Sequence, residues 1–207
     1  MGGPLNRPNR RVSSSRERFT IRAYTESKKT EVQYLNAWYR IHRSQVTLEI
    51  DPTHGVVPLQ LVRAAVAHKQ QAIRDAKRGR GTAPNSYWCI FDTDDFADIP
   101  EAVALAAEHE INVAISNPCI ELWLYLHVAD HQRWEHRDWV QSTLKEQCGI
   151  DKTLSGEHLE MLVKNYDTAR ARAQDLETMH DRAGRTGRDR NPSSAVWRVV
   201  EEIRRAT

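Results

Sequence analysis

Apolar and polar positions follow two different periods along residues 19–128. Short runs of strand type, FTIRAY, VTLEI, YWCIF and INVAIS, alternate with segments whose apolar residues recur at helical spacing. YWCIF is continuously apolar, which is typical of a strand that is buried on both faces. We predict strands at about 19–24, 46–50, 87–91 and 111–116, and helices at about 30–42, 58–76, 101–110 and 120–128.

This alternation favours an α/β fold with a mostly parallel central sheet flanked by helices. Beyond residue 130 the pattern is helical only, so we predict no further strand there and helices at about 131–147, 157–178 and 193–206. The N-terminal residues are rich in Pro, Gly, Ser and Arg, which is typical of a disordered basic arm. The predicted organisation is the arm (1–18), an α/β core (19–128) and a helical C-terminal extension packed on the core (129–207).

The net charge of the chain limits how it can bind an anionic partner. The formal net charge is only +2, so nucleic acid would be bound by local basic patches rather than by the charge of the whole molecule. No apolar run approaches the roughly 20 residues of a membrane span, and the N-terminal residues lack the apolar centre of a signal peptide. The widely spaced Cys89, Cys119 and Cys148 indicate reduced thiols. We therefore expect a cytoplasmic protein without a membrane partner.

Acidic residues follow two of the predicted strands at the point where each strand ends. Glu26 follows the first strand, and Asp92 and Asp94 follow the third. In an open α/β sheet, ligands bind beyond the carboxyl ends of the strands. Residues two apart in an extended segment point to the same side, so Asp92 and Asp94 are placed to reach one ion. Because clustered carboxylates repel one another unless a cation joins them, the sequence predicts a Mg²⁺ (or Mn²⁺) site formed by Glu26, Asp92 and Asp94.

These residues carry a resemblance to a known family. The Glu of TESKKTE after the first strand, and DTD after a later apolar strand, are similar to the arrangement in the Toprim catalytic domain of topoisomerases, bacterial primases and OLD-type nucleases. More closely, the chain resembles the RloB family through TESKKTEVQYL, VTLEIDPTHG, WCIFDTDDF, ISNPCIELWLYLH and NPSSAVWRVVEEI. It departs from the usual EGEKTE of that family, since Ser27 stands in the place of Gly and Lys28 replaces the second acid.

The resemblance implies a Toprim-like fold and a metal-dependent nuclease, often encoded beside restriction and other phage-defence genes. The reaction would be phosphodiester hydrolysis, in which the metal polarises a phosphoryl oxygen and lowers the pKa of the attacking water. Glu26 would be the general acid/base, and the implied catalytic set is Glu26, Asp92 and Asp94. The implied partners are nucleic acid, as RNA or DNA, and a partner protein of a defence system, with a homo-oligomer as a further possibility.

Several other residues have both a functional and a structural interpretation. Glu121 lies in an otherwise apolar helix and needs a partner, so it is either a fourth metal ligand or half of an ion pair. Lys28 is either a phosphate ligand or a helix-start lysine. Ser116 and Asn117 are better explained as caps of the following helix than as residues that orient a site. The other basic residues either contact a polynucleotide backbone or form a solvated surface. They are Arg7 to Arg18 of the arm, Lys152, and Arg182, Arg185, Arg188 and Arg190 of the late loop.

The tryptophans divide in the same way. Trp123 and Trp197 occupy apolar helical positions and predict core packing. Trp134 or Trp139, if exposed, could stack on bases.

Two other functions stay open at this point. A D-x-D after an apolar strand also occurs in haloacid-dehalogenase-type phosphotransferases, in which Asp92 would be the nucleophile and Asp94 the acid/base. Against this, the D-x-D strand is the third here, and Glu26 would have no role. Alternatively, a non-catalytic sensor, scaffold or nucleic-acid-binding module could keep the same fold, with the helical region from Asp130 as its interaction surface.

Overall fold

The computed structural model describes residues 18–52, 55–93 and 96–206. Its strands are β1 (Phe19–Thr25), β2 (Val46–Ile50), β3 (Ser86–Asp92), β4 (Asn112–Asn117) and β5 (Ser193–Ser194). Its helices are α1 (Thr30–His42), α2 (Pro58–Lys77), α3 (Ile99–Glu108), α4 (Ile120–Leu126), α5 (Arg137–Cys148), α6 (Gly156–Lys164), α7 (Tyr166–Arg182) and α8 (Val196–Arg205). A short 3-10 helix, Gly187–Asp189, lies between α7 and β5. Residues 1–17 of the predicted basic arm lie outside the described residues.

The five strands form one sheet in the order β2-β1-β3-β4-β5. β1 pairs in parallel with β2 and β3, β3 pairs in parallel with β4, and β5 pairs antiparallel with β4. The predicted mostly parallel α/β sheet flanked by helices is confirmed. Because β2 lies on one side of β1 and β3 on the other, the direction of the connections reverses between β1 and β3. Such a reversal leaves a crevice beyond the carboxyl ends of the two strands, which is where ligands bind in open α/β sheets.

Each face of the sheet is covered by helices around a hydrophobic core of its own. On one face, α2 and α3 pack over Cys89 and Phe91. On the other face, α1, α4, α7 and α8 pack over Trp88 and Ile90. All seven residues of β3 are buried, and alternate side chains enter opposite cores because the strand is pleated. The continuously apolar run YWCIF is therefore buried on both faces, as predicted, and it forms the central strand of the sheet.

The prediction of no strand beyond residue 130 is wrong at one short segment. Ser193 and Ser194 form β5, which pairs with the end of β4 in the register Ser116↔Ser194 and Asn117↔Ser193. A strand of two residues is too short for its alternation to be visible in a sequence. Because Ser193 and Ser194 belong to this strand, α8 begins at Val196 and not at 193.

The helices after residue 130 also differ from the prediction in where α5 begins and in how 157–178 is divided. α5 begins at Arg137 and not at 131, because His136 is extended (φ −76°, ψ 150°) and its side chain accepts a hydrogen bond from the Asp138 backbone N–H. The helix predicted at 157–178 is two helices, which are separated at Asn165 by a backbone (φ −93°, ψ 9°) outside the helical range. No helix in the described part of the chain is long and apolar enough to cross a membrane.

A buried polar pair joins Tyr34 of α1 to His127 at the end of α4. The Tyr34 hydroxyl is 3.2 Å from His127 Nε2, and His127 Nδ1 is 2.9 Å from the Trp123 carbonyl oxygen. Since a carbonyl oxygen only accepts, Nδ1 donates to it, and Nε2 of the neutral ring accepts from Tyr34. Trp123 is fully buried, as predicted, and packs edge-on against both rings. Burial lowers the pKa of His127 to about 4, with the Arg172 charge acting in the same direction and the backbone hydrogen bonds opposing it.

Candidate active site

Glu26 and Asp92 meet at the crevice between β1 and β3. The backbone N–H of Asp92, the last residue of β3, donates a hydrogen bond to Glu26 Oε2 (3.1 Å). The backbone N–H of Glu26 donates to the Ile90 carbonyl oxygen (3.0 Å), so the pairing of β1 with β3 extends to the residue that follows β1. The two acids are thus held at neighbouring strand ends, where the sequence predicts them. Asp94 lies outside the described residues, so its position beside them stays a prediction.

A cavity of about 400 Å³, which we call the acidic cavity, opens beside Glu26 and Asp92. The ends of β1 and β3 and the first turns of α1, α4 and α5 contribute to its walls, and its charged lining residues are Glu26, Glu31, Asp92, Glu121, Lys28, Lys29, Arg137 and Lys152. Glu31, Lys29 and Arg137 are not among the predicted site residues, and the other five are. Residues that are far apart in the sequence therefore converge on one cavity that contains both carboxylates and cationic side chains.

Glu31 is a buried acid that the sequence interpretation did not assign. Its carboxylate accepts hydrogen bonds from the hydroxyl and the backbone N–H of Ser27, which fixes the turn before α1. Burial raises the pKa of Glu31 and the hydrogen bond from Ser27 opposes that rise, while the negative charge of Glu121 adds to it. The signal in the sequence was its spacing from Leu35 and Trp38, which places Glu31 on the buried stripe of α1.

Glu121, like Glu31 and Asp92, is a buried acid of this cavity. It lies in the first turn of α4, all of whose residues are buried, and only 8% of its surface is exposed. Its Oε2 atom has no hydrogen-bond partner among the described residues. The pKa of the neighbouring Cys119 thiol is raised by burial first and then by the negative charges of Glu121 and Asp92, which places both carboxylates near this thiol. Of the two predicted roles, an ion pair is not the one seen, since no described salt bridge includes Glu121.

The described acids do not by themselves form a finished metal site. Within residues 18–52, 55–93 and 96–206, no three His, Cys, Asp or Glu side chains are grouped closely enough to hold a metal ion. Asp94, the third acid of the predicted ligand set, is outside those ranges. The donors that are present are carboxylate oxygens, which is the ligand type that Mg²⁺ and Mn²⁺ prefer.

Arg137 is a basic residue of the site that the sequence interpretation missed. It is the first residue of α5 and lines both the acidic cavity and a neighbouring cavity. The helix predicted from 131 would have placed Arg137 in a helix interior rather than at a helix start. The acid in the first turn, Asp138, is the sequence signal that could have located the boundary.

Ser116 and Asn117 do not cap α4, so that prediction is wrong. The N-cap residue of α4 is Cys119, and no side chain caps it. The Ser116 hydroxyl is instead 3.0 Å from the Ser194 hydroxyl, and Asn117 Nδ2 donates to the Arg188 carbonyl oxygen (3.0 Å). Both residues therefore bind the late segment to the end of β4, because that segment returns to the sheet as β5.

The late-loop arginines do not form one continuous basic track. Arg190 donates to Asp181 (2.6 Å) and to the carbonyl oxygens of Arg185 and Glu177, so it holds the loop against α7. Arg188 lines the neighbouring cavity, where it donates to the Phe96 carbonyl oxygen (2.7 Å). Arg185 is exposed and lines neither of the two cavities among the described residues. Of the predicted phosphate contacts, Lys28 and Lys152 line the cavity that contains the acids. Arg188 lines the neighbouring cavity, and Arg185 lines neither of the two.

Comparison with protein families gives a match that covers nearly all of this structure. A family model described as RloB-like protein matches residues 23–203, which is more than half of the 207-residue chain. The matched range includes every residue of the acidic cavity. Searches of curated proteins and of solved structures found no match.

Proposed function

The chain belongs to the family of RloB-like proteins, and from this membership and the site geometry we propose that it is a metal-dependent nuclease. The observation that carries the proposal is the hydrogen-bonded pair of Glu26 and Asp92. The pair lies where the sheet connections reverse and lines a cavity that also contains cationic side chains. The reaction is hydrolysis of phosphodiester bonds in nucleic acid. A role as the effector of a bacterial anti-phage defence system is part of the proposal and rests on the family resemblance alone.

The proposed ligands of the divalent cation are Glu26, Asp92 and Asp94, with Glu121 as a fourth. The unpartnered Oε2 of Glu121 supports this assignment, because a buried carboxylate oxygen without a donor destabilises the protein until a positive group binds it. Bound Mg²⁺ or Mn²⁺ would polarise the phosphoryl oxygen and lower the pKa of the attacking water.

The remaining roles belong to side chains of the cavity. Glu26 is the proposed general acid/base. It takes a proton from the attacking water as the oxygen–phosphorus bond forms, and the leaving oxygen gains a proton from solvent water as its bond to phosphorus breaks. Its hydrogen bond from the Asp92 backbone fixes the direction of its carboxylate. Lys28, Lys152 and Arg137 line the same cavity and supply positive charge to bind the phosphate and to offset the carboxylates.

The proposal is tested by incubating the purified full-length protein with labelled RNA and with labelled DNA, in single- and double-stranded forms. Parallel reactions contain Mg²⁺, Mn²⁺ or a chelator. We expect cleavage with either cation and none with the chelator. Absence of cleavage of every substrate, also in the presence of the protein's natural activating partner, would reject the nuclease proposal.

A nucleic-acid-binding module without catalysis is the second candidate. The observation in its favour is that the described residues contain no group of three metal-binding side chains. The two candidates differ in one measurement, because both predict binding to nucleic acid and only the first predicts cleavage that requires a divalent cation.

Substituting Lys28 or Lys152 with Ala should weaken nucleic-acid binding in a salt-dependent way. Each phosphate contact that is lost should reduce the slope of log K against log salt by about 0.7 for a single strand, since fewer counterions are released. Binding titrations at several salt concentrations, with a chelator present, measure this slope. Lys77→Ala is the matched control, because Lys77 is exposed at the end of α2 and does not line the acidic cavity. An unchanged slope in both site variants would place the phosphate elsewhere.

Substituting Glu121 with Gln should have opposite effects on stability without and with metal. Without a divalent cation, the variant should be more stable by about 1–3 kcal/mol, because a buried negative charge that lies near Glu31 and has one oxygen without a hydrogen-bond donor is removed. With saturating Mg²⁺, the wild type should gain stability by mass action and the variant should gain less. Thermal unfolding in both buffers measures the two shifts, with the exposed Glu157→Gln as the control. An equal Mg²⁺ shift in wild type and variant would exclude Glu121 as a ligand.

A further inference from the structure

A second cavity, of about 510 Å³, lies beside the acidic one, and the two share Arg137 as a lining residue. Trp134 lines the second cavity, and 66% of its surface is exposed. Arg188 lines the same cavity. This volume is within the range of pockets that hold small ligands, and it combines a large exposed aromatic ring with two cationic side chains.

The backbone that carries Trp134 is held in place. The next residue, Glu135, donates its N–H to Asn191 Oδ1 (3.3 Å), and Asn191 Nδ2 donates back to the Glu135 carbonyl oxygen (2.9 Å). Asn191 is buried, so these two bonds are shielded from water. The opposite side is fixed in a similar way, since Arg188 is bound through its side chain to the Phe96 carbonyl oxygen and through its own carbonyl to Asn117.

A single exposed tryptophan on a protein surface needs no explanation by itself. Trp139 shows the difference, because its ring stacks on His131 (centroids 4.9 Å apart, planes at 26°) and packs edge-on against Tyr125. Trp139 is 37% exposed and takes part in the local packing. Among the described aromatic contacts, Trp134 makes none, so its ring contributes less to the fold and lies open to a ligand in the cavity.

We propose that Trp134 is a stacking platform for one unpaired nucleobase of a single-stranded nucleic acid, whose backbone phosphate is bound by Arg137 and Arg188. This inference rests on the proposed function, since Arg137 also borders the acidic cavity and the bound strand then continues toward Glu26 and Asp92. Bases within a duplex are already stacked on their neighbours, whereas an unpaired base offers a free face to an aromatic ring. Among the described residues that line this cavity, the acid is Glu135, and the two arginines are Arg137 and Arg188.

The test is binding of a fluorescent single-stranded oligonucleotide of about 10 nucleotides, a length within the site size of single-strand-binding folds. Anisotropy is measured with a chelator present, so that no cleavage occurs, and both an RNA and a DNA probe are used. Trp134→Ala should lose about 10- to 100-fold in affinity, the scale for loss of one stacked base. Trp134→Tyr should recover most of the loss, and Trp139→Ala should bind as the wild type does.

Two further probes identify the chemistry. A strand of the same length without bases should bind wild type and Trp134→Ala equally, because only the phosphate contacts remain. The corresponding duplex should also be insensitive to Trp134→Ala. A difference between the RNA and DNA probes would identify which nucleic acid the site takes.

The result that would overturn the inference is equal affinity of wild type and Trp134→Ala for both single-stranded probes, which would leave this surface to a protein partner. That result is distinct from failure of the proposed function. Cleavage that does not depend on Trp134 rejects the stacking platform and keeps the nuclease, whereas Trp134-dependent binding without cleavage under any condition rejects the nuclease and keeps the binding site. Thermal unfolding of each variant verifies that it is folded.

Discussion

Asp92→Asn should reduce the rate of cleavage by roughly 10²- to 10³-fold or more, the scale on which loss of one charge-stabilising group affects an enzyme. Asp92 is buried at the end of the central strand, with 8% of its surface exposed, and it lies beside Glu26 in the acidic cavity. The amide is close in shape to the carboxylate, so the backbone hydrogen bond to Glu26 and the fold should persist. The charge that we propose to hold a divalent cation is lost.

Three measurements on this variant separate catalysis from binding. Cleavage of labelled nucleic acid should fall, and the rise in thermal stability on addition of Mg²⁺ should disappear. Binding to nucleic acid should stay the same or become stronger, because a negative charge is removed from the path of a polyanion. Asp75→Asn, a half-buried position on α2 that lines neither cavity, is the matched control and should cleave at the wild-type rate. Full activity of Asp92→Asn would contradict the assigned role of Asp92.

The second large effect concerns stability and pH. The pKa of His127 is lowered by burial from 6.5 to about 4 in the folded protein. Between these two values the unfolded chain binds a proton that the folded chain does not, so the free energy of unfolding falls as the pH is lowered through this window. The full stabilisation is present above about pH 6.5, and the loss by pH 4 is about 3 kcal/mol. Arg172, whose Nη1 donates to the Leu126 carbonyl oxygen, adds a positive charge that opposes protonation of the ring.

The comparison with His127→Gln isolates this contribution from that of other titrating groups. The variant is expected to be less stable at neutral pH, because the hydrogen bond between Tyr34 and the ring is replaced by a less well-fitted one. Its stability should nevertheless depend less on pH between 4 and 6.5. Denaturant unfolding at a series of pH values gives both the free energy of unfolding at neutral pH and its dependence on pH. Parallel pH profiles for wild type and variant would show that His127 does not titrate in this window.

The sequence predicts this sheet well because its strongest signals are local. YWCIF is continuously apolar since β3 is buried on both faces, and the acids that follow it are at a strand end whatever the details of packing. The meeting of Glu26 with Asp92 could also be predicted, because parallel neighbours end at the same edge of a sheet. These inferences need only strand positions and the direction of the chain.

The parts that could not be predicted depend on contacts between distant segments. The two residues of β5 have no visible period, and their pairing with β4 exists only because the whole of α4 to α7 returns the chain to the sheet. The division of the late arginines into Arg190, which holds the loop, and Arg188, which lines a cavity, follows from partners on α7 and at Phe96. Both residues are arginines in the same polar loop, so the sequence alone does not distinguish their roles.

The pairing of β5 with β4 has a consequence for synthesis of the protein on the ribosome. β4 emerges early, but Ser116 and Asn117 reach their partners only after α4, α5, α6 and α7 have been translated. Domains generally fold as units during translation, with earlier segments forming first. The nascent chain can therefore assemble the strand ends that carry Glu26 and Asp92 before it has the wall formed by Arg188 and Asn191. The order of translation thus makes the second cavity the later of the two cavities to be completed.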